Sequence, residues 1–281
     1  MRFTQSHAHQ YRNEGYTFVS GFLNQEQVKL CLAKIERICD GQTLGCHDTS
    51  RLELEPDQSP DGAQVRRVYD PCTHYPLFRA IADSDTLLQC VEPLIGPDIL
   101  FTTSKINMKP AKIGSAVRWH QDFAYGPLTN PKALSVLFYL DDADETNGCL
   151  QVLAGHHEDR LMDHTRNGFF QGQITEPVDN RNAVSVSGGA GTAIFLHCMT
   201  PHASVVNQST RPRRTLIAMY RAADAFPVMC GPMSIRSMEI ERLVRGQAHH
   251  VARFSLKEIA IPVYPHDTGS LYQLQEQAEK T

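Results

Sequence analysis

From residue 97 onward the chain is a succession of strand-length apolar runs: "DILFTTSKINMK", "SAVRWHQDF", "ALSVLFYLDD", "CLQVLAG", "AVSVSG", "GTAIFLHC" and "TLIAMYRAA", separated by turn residues. So many short strands restrict the core to a β-sandwich or a barrel, where their backbone groups can pair. The residues before them read differently. "SGFLNQEQVKLCLAKIERICDG" predicts a helix, with Asn24 and Gln27 spaced as a capping box, Val28, Leu32, Ile35 and Cys39 on one face, and Gly41 as its stop. "YPLFRAIAD" and "SDTLLQCVEPLIG" predict two shorter helices. The fold class is therefore α+β. No linker divides the chain, so one domain is expected: a helical portion over about 1–96, a β core over about 97–224 and an extension over about 225–281.

Three connecting stretches carry weaker expectations. Residues 42–66 are polar, with Pro and Gly, and read either as a long surface loop that folds over a binding mouth or as a disordered insertion. The glycines of "VSGGAGTAIFL" lack the Lys-Ser/Thr ending of a phosphate loop and read as a hairpin turn. "SIRSMEIERLVRGQ" predicts a helix in the C-terminal extension.

A net charge of −4 gives no basic stripe for nucleic acid, and the longest apolar runs are too short to cross a membrane. The opening "MRFTQSHAHQYRNEGY" lacks the apolar segment of a secretory signal, and the eight cysteines contain no Cys-x-x-Cys pair, as expected of reduced thiols. The expectation is a cytoplasmic monomer or homodimer whose partner is a small molecule. Cys46-His47 and Cys72-x-His74 are weak zinc candidates.

The chemistry concentrates in "VRWHQDFAYGP". On a strand, residues two apart share a face about 7 Å apart, so His120 and Asp122 can reach one cation while Gln121 points away. Imidazole with carboxylate suits Fe(II), and a second histidine would complete a two-His-one-carboxylate triad with three open positions. His197 and His202, in "FLHCMTPHASVVNQSTRPRRTLIAMY", are the candidates for that third ligand.

"WHQD" with its aromatic turn, then "LDDADETNGCLQVLAGHH", then a His-x-Ser-x-x-Asn-x-Ser segment with Arg downstream, resembles the phytanoyl-CoA dioxygenase family of Fe(II)- and 2-oxoglutarate-dependent oxygenases. The opening "YRNEGYTFVSGFLNQEQVKLCLAKI" is similar to that family's start, and the resemblance runs from about residue 8 to about 222. It implies a double-stranded β-helix (a jelly roll of the cupin kind) with N-terminal packing helices and a C-terminal helical segment. It puts the distal metal ligand on His202, which precedes Ser204, Asn207 and Ser209, and His197 at a non-ligand position.

The same resemblance implies that Arg213 binds the far carboxylate of 2-oxoglutarate, a task suited to a planar guanidinium fork, with Arg211 and Arg214 as neighbouring competitors. Ser204 matches a serine that contacts the co-substrate, and Arg67 stands where the family commonly has a Lys that does so. Lys105 and Leu137 fall at co-substrate-pocket positions held by Met and Trp in relatives, where Leu137 would pack on the carbon chain and Lys105 would serve co-substrate or substrate or stand as a solvated strand residue. The implied cofactors are Fe(II), 2-oxoglutarate and O2, with ascorbate as a stimulant. The implied reaction couples oxidation of 2-oxoglutarate to succinate and CO2 with hydroxylation of a substrate C–H. Halogenating relatives have a small residue where Asp122 stands, which favours hydroxylation.

Two other readings start from the same residues: a non-catalytic jelly-roll binding module, and a metal-dependent isomerase, which would need no Arg213. Arg66, Lys109, Lys112 and Arg118 are basic neighbours that would attract an anionic substrate or be solvated. His156-His157 and His249-His250 read as surface, and Trp119 and Phe123 as core.

Overall fold

The computed structural model describes residues 3–158, 160–228, 240–264 and 270–279. Helix α1 (Gln5–Glu14) ends at Gly15, whose φ of 77° lies in the left-handed region and whose N–H reaches Tyr11 O. A side chain there would also strike Thr200 Oγ1, so glycine is required twice over. Strand β1 (Tyr16–Val19) follows, then helix α2 (Gln25–Cys39). The expected capping box is present: Gln27 N donates to Asn24 Oδ1 and Asn24 N donates to Gln27 Oε1, each at 2.9 Å.

Residues 42–66 are not all loop. Strands β2 (Leu52–Leu54) and β3 (Val65–Tyr69) bury Leu52, Leu54, Val65 and Val68, apolar pairs too short to show periodicity in a polar stretch. Helices α3 (Pro71–His74), α4 (Pro76–Ala82) and α5 (Asp85–Ile95) complete the N-terminal portion.

The core strands are β4 (Ile99–Lys109), β5 (Val117–His120), β6 (Ala133–Tyr139), β7 (Leu150–Val152), β8 (Thr165–Arg166), β9 (Phe169–Phe170), β10 (Val184–Val186), β11 (Ala193–His197), β12 (His202–Ser204) and β13 (Arg213–Ala222). Strand β14 (Arg242–Arg245) and helix α6 (Leu271–Glu279) end the chain. The major sheet runs β1-β11-β6-β13-β4-β3-β2, with β14 also on β4; the minor sheet runs β10-β7-β12-β5. Three strands of the N-terminal portion thus extend the core sheet.

Two expectations are corrected here. The glycine cluster at 188–191 is no hairpin: β10 pairs with β7 and β11 with β6, so these glycines carry the chain from one sheet to the other. Of the helix expected over 234–247, residues 234–239 lie outside the described residues, and Arg242–Arg245 pair with β4 as a strand. The C-terminal helix is α6 instead. Ser270 caps it, its Oγ accepting from Gln273 N at 3.2 Å, a Ser-x-x-Gln spacing that the sequence does display.

The outer face of the major sheet buries Val68, Ile106, Phe138, Phe195 and Leu216 against Val28, Cys31 and Ile35 of α2 and Leu87 and Val91 of α5. Each such large apolar side chain contributes roughly 1.5–3 kcal/mol on burial, so this layer anchors the sheet. Its inner face meets the minor sheet, with Leu137, Tyr139 and Ile217 clustered with Leu150, Val152 and Val186. Register decides what else points inward. Thr215 and Ile217 of β13 lie opposite Tyr139 and Leu137 on one side and Asn107 and Lys105 on the other. Arg67 and Tyr69 of β3 lie opposite Asn107 and Lys105. Directly opposed residues share a face, so all of these line the same cup. Among the described residues no helix is long and apolar enough to cross a membrane.

Candidate active site

His120 ends β5 and His202 begins β12, and these two residues are register partners in the minor sheet. Their rings stand 4.0 Å apart between centroids. Asp122 arrives by a route the sequence did not show: the strand stops at His120, and a 3-10 turn (Asp122–Tyr125) turns the carboxylate inward. Asp122 Oδ1 lies 3.8 Å from each imidazole Nε2. One atom from each of the three residues lies within 4.8 Å of the others, and no other such group occurs among the described residues. Cys46-His47 and Cys72-x-His74 therefore build no site there.

The donors are held ready for a metal. His120 Nδ1 lies 2.8 Å from Arg118 O and His202 Nδ1 3.0 Å from Thr200 O. A carbonyl only accepts, so both rings carry their proton on Nδ1 and turn a lone pair on Nε2 inward. Burial, and for His120 the neighbouring His202, push both imidazoles below their ordinary pKa and keep them neutral. Burial works against the Asp122 charge, but His202, Lys105, His120 and the Ser135 hydroxyl outweigh it and bring its pKa to about 2. Ser135 Oγ donates to Asp122 Oδ2 at 2.7 Å, which leaves Oδ1 as the atom facing the two imidazoles. A divalent cation with a preference for mixed nitrogen and oxygen ligands fits this set.

Gln121 does point away. Its amide donates to Arg160 O at 3.0 Å and Met199 O at 2.7 Å and accepts from Met162 N at 2.7 Å. Its own N–H donates to His164 Nε2 at 3.1 Å. The residue between the two ligands thus ties the turn to two distant loops.

Two cavities border the centre and share Lys105, His120, Asp122, Ser135 and Leu271 as walls. The smaller, about 50 Å3, is bounded by His120, Asp122, His202, Ser204, Leu137 and Arg213. Arg213 is buried there, its Nε and Nη2 donating to Gly148 O at 3.1 and 2.7 Å and its Nη1 to Thr215 Oγ1 at 2.8 Å. These are neutral acceptors, and burial lowers the guanidinium pKa because the charge lacks a carboxylate. Gly148, at φ 78°, can bring its carbonyl this close because a side chain there would strike Val205 O. Arg211 and Arg214 face elsewhere, paired with Asp144 and Asp141.

The larger cavity, about 340 Å3, has His120, Asp122, Phe123, Tyr125, Lys105 and Arg67 among its walls. Lys105 borders both cavities, whereas Arg67 borders only the larger. Burial draws the Lys105 amine down to about 8, against the pull of Asp122.

Curated proteins with similar sequences extend the picture. The chain matches the family model "Phytanoyl-CoA dioxygenase (PhyH)" over residues 11–215. The chain belongs to the phytanoyl-CoA dioxygenase family. A probable alpha-ketoglutarate-dependent hypophosphite dioxygenase of Stutzerimonas stutzeri is 31% identical over 230 residues, 79% of this chain and 80% of that protein. An ectoine dioxygenase of Bordetella bronchiseptica is 23% identical over 76% of this chain and 74% of its own length. This member of the family is a 2-oxoglutarate-dependent non-haem iron dioxygenase by class. Solved structures show the same fold: EctD from S. alaskensis with 2-oxoglutarate and 5-hydroxyectoine has a TM-score of 0.65 at 20% identity, over 79% of this chain and 77% of that one. The non-heme monooxygenase ThoJ has a TM-score of 0.68 at 22% identity, over 97% and 94%.

Against that frame of relatives, several residues of this dioxygenase were invisible in the sequence. Ser135 is a lone serine in the apolar run "ALSVLFYL", a signal that only the register explains. His164 and His157 are buried, the latter with Nε2 3.1 Å from Arg12 O, so the surface reading of His157 is wrong. His197 packs on Tyr11 and His157, with ring centroids 5.7 and 5.2 Å away, and belongs to no ligand set. Phe123 is core, packing on Cys198 and Met199, and also borders the larger cavity. Trp119 is half-buried. Of the basic neighbours, Arg66 is paired with Glu53 and Glu276, Lys109 donates to Ser115 O, and Arg118 and Lys112 are exposed. Leu271, at the start of α6 and beyond the family match, borders both cavities. Gln275 of the same helix accepts from Arg118 N at 3.0 Å and donates to Gly172 O at 2.6 Å.

Proposed function

We propose that this chain hydroxylates an unactivated C–H of a small molecule, consuming 2-oxoglutarate and O2 and releasing succinate and CO2. The observation that carries the reading is Arg213: a buried guanidinium with only neutral partners, facing the cavity that contains His120, Asp122 and His202. A carboxylate placed there satisfies its charge with two parallel hydrogen bonds. In this reading His120, Asp122 and His202 hold iron, Arg213 and Ser204 hold the co-substrate's far carboxylate, and Leu137 packs on its carbon chain. The bound iron supplies O2 activation. The protein keeps both imidazoles neutral, holds Asp122 ionised through Ser135, and excludes water with the walls formed by Tyr125 and Leu271.

An isomerase that works without 2-oxoglutarate would have no use for a buried Arg213 without a counter-charge, and a binding module none for the full triad. The relatives named for hypophosphite, ectoine and, over half of this chain, L-proline differ in substrate, so none of these is carried over by name. The seven described cysteines are all free, which suits a reducing cytoplasm. The test is succinate release from Fe(II), ascorbate and 2-oxoglutarate across a substrate panel, with ascorbate expected to stimulate. No succinate under any condition, together with no 2-oxoglutarate binding by calorimetry, sinks the reading.

A further inference from the structure

Strand register places two cations on the inner face beyond those the co-substrate requires. Lys105 lies opposite Tyr69 of β3 and Ile217 of β13, and Arg67 lies opposite Asn107, so both side chains look into the cup. Arg67 is 1% exposed. Its Nε donates to Asn107 Oδ1 at 3.1 Å, while its Nη2 makes no hydrogen bond among the described residues. The nearest carboxylate, Glu53, stands 3.9 Å away and is already engaged by Arg66 at 2.8 Å, by the Tyr69 hydroxyl at 2.8 Å and by Ser270 at 2.6 Å. Lys105 has no hydrogen bond or ion pair among the described residues. The other charges on the wall are engaged: Asp70 accepts from Thr103 Oγ1 at 2.9 Å, and Arg221 forks onto Glu241 at 2.8 and 2.7 Å.

Charge balance sharpens this. A divalent iron, Asp122, Arg213 and 2-oxoglutarate as a dianion cancel, which leaves the Lys105 charge without a counter-ion. A half-buried cation without a partner is poorly solvated, so a ligand anion is its natural complement. We propose that the molecule oxidised here carries an anionic head, a carboxylate or a phosphorus oxyanion, held by Lys105 and Arg67 in the larger cavity. Phe123, Leu128, Leu134 and Met219 in the remaining wall receive an apolar body. Because Lys105 also borders the metal-side cavity, the oxidised atom lies within a few bonds of the head. The proposal rests on the iron and 2-oxoglutarate reading. It also moves Arg67 from the co-substrate, where the family resemblance put it, to the substrate, and settles Lys105, which that resemblance left between the two, on the substrate.

The test uses the full chain loaded anaerobically with Fe(II) and saturating 2-oxoglutarate, whose charge-transfer absorption reports the loaded centre. Hexanoate, hexylphosphonate and 1-hexanol are titrated in by calorimetry. At least one anion should bind about tenfold or more tightly than the alcohol, and the tighter anion identifies the head group. Lys105→Met should weaken that anion by roughly ten- to a hundredfold, the worth of a lost charge-assisted hydrogen bond, while alcohol binding and 2-oxoglutarate affinity hold. Arg67→Gln is the second variant and should act in the same direction. Equal binding of alcohol and anions overturns the proposal, as does a Lys105→Met variant that loses 2-oxoglutarate as much as it loses the anion. Absence of the charge-transfer absorption in the wild type would instead bring down the underlying reading, and the proposal with it.

Discussion

The two ends of the inner face are built in different ways. At the Arg213 end each guanidinium nitrogen has a fixed partner, Gly148 O on the turn before β7 or Thr215 Oγ1 on its own strand, and the candidate ligands His120 and His202 are neighbours in one sheet. At the other end the wall is assembled from β3, β4, the turn after β5, β13, Glu241 and the start of α6. The first end is a hydrogen-bonded frame drawn from a few neighbouring strands and turns. The second is a composite whose members come from distant parts of the chain, which is where a shared scaffold can change its substrate.

If that contrast is right, disruption at the frame should be severe and specific. Asp122→Ala or His202→Ala should remove iron binding and succinate production altogether, read by metal analysis after anaerobic loading. Arg213→Ala should leave iron in place and raise the 2-oxoglutarate KM by roughly ten- to a hundredfold, since it removes a charge-assisted fork. Ser135→Ala should act one step further out, weakening iron by about tenfold through a less well oriented Asp122. An unchanged iron affinity in that variant would mean the Ser135 hydrogen bond is incidental.

Acid gives the smallest and broadest effect. Burial lowers the His197 imidazole to about 3 and the His164 imidazole to about 4, from an ordinary 6.5. Between those values and 6.5 the unfolded chain binds more protons than the folded one, so stability is lost as pH falls through that window and is fully present above it. His164 adds a local reason: its Nε2 must stay unprotonated to accept from Gln121 N. The Tm of the metal-free protein should decline from pH 6.5 toward 4.5, and His197→Gln should make the decline shallower. A Tm that stays level across that range would contradict the burial of neutral imidazoles.

The same contrast governs what the sequence could show. Strand runs, the Asn24 cap and the His120, Asp122, His202 and Arg213 positions are local patterns, and they were legible because each sits in a short motif. The route by which Asp122 turns inward was not, since nothing in "WHQDFAY" distinguishes a continuing strand from a 3-10 turn. Ser135 and His164 become functional only through register and loop docking across more than ten and forty residues. Strands β2 and β3 hid in polar sequence because two buried apolar residues each suffice to anchor them. The roles of Arg67 and Lys105 depend on which cavity each borders, a property of packing alone.

The central claim is that His202, with His120 and Asp122, holds iron beside a 2-oxoglutarate clamped by Arg213. Its most direct test is an anaerobic Fe(II) titration in the presence of 2-oxoglutarate, following the charge-transfer absorption of the complex in wild type, His202→Ala and His197→Ala. The absorption should develop in wild type and His197→Ala and be missing in His202→Ala. Its loss in His197→Ala with retention in His202→Ala would contradict the account.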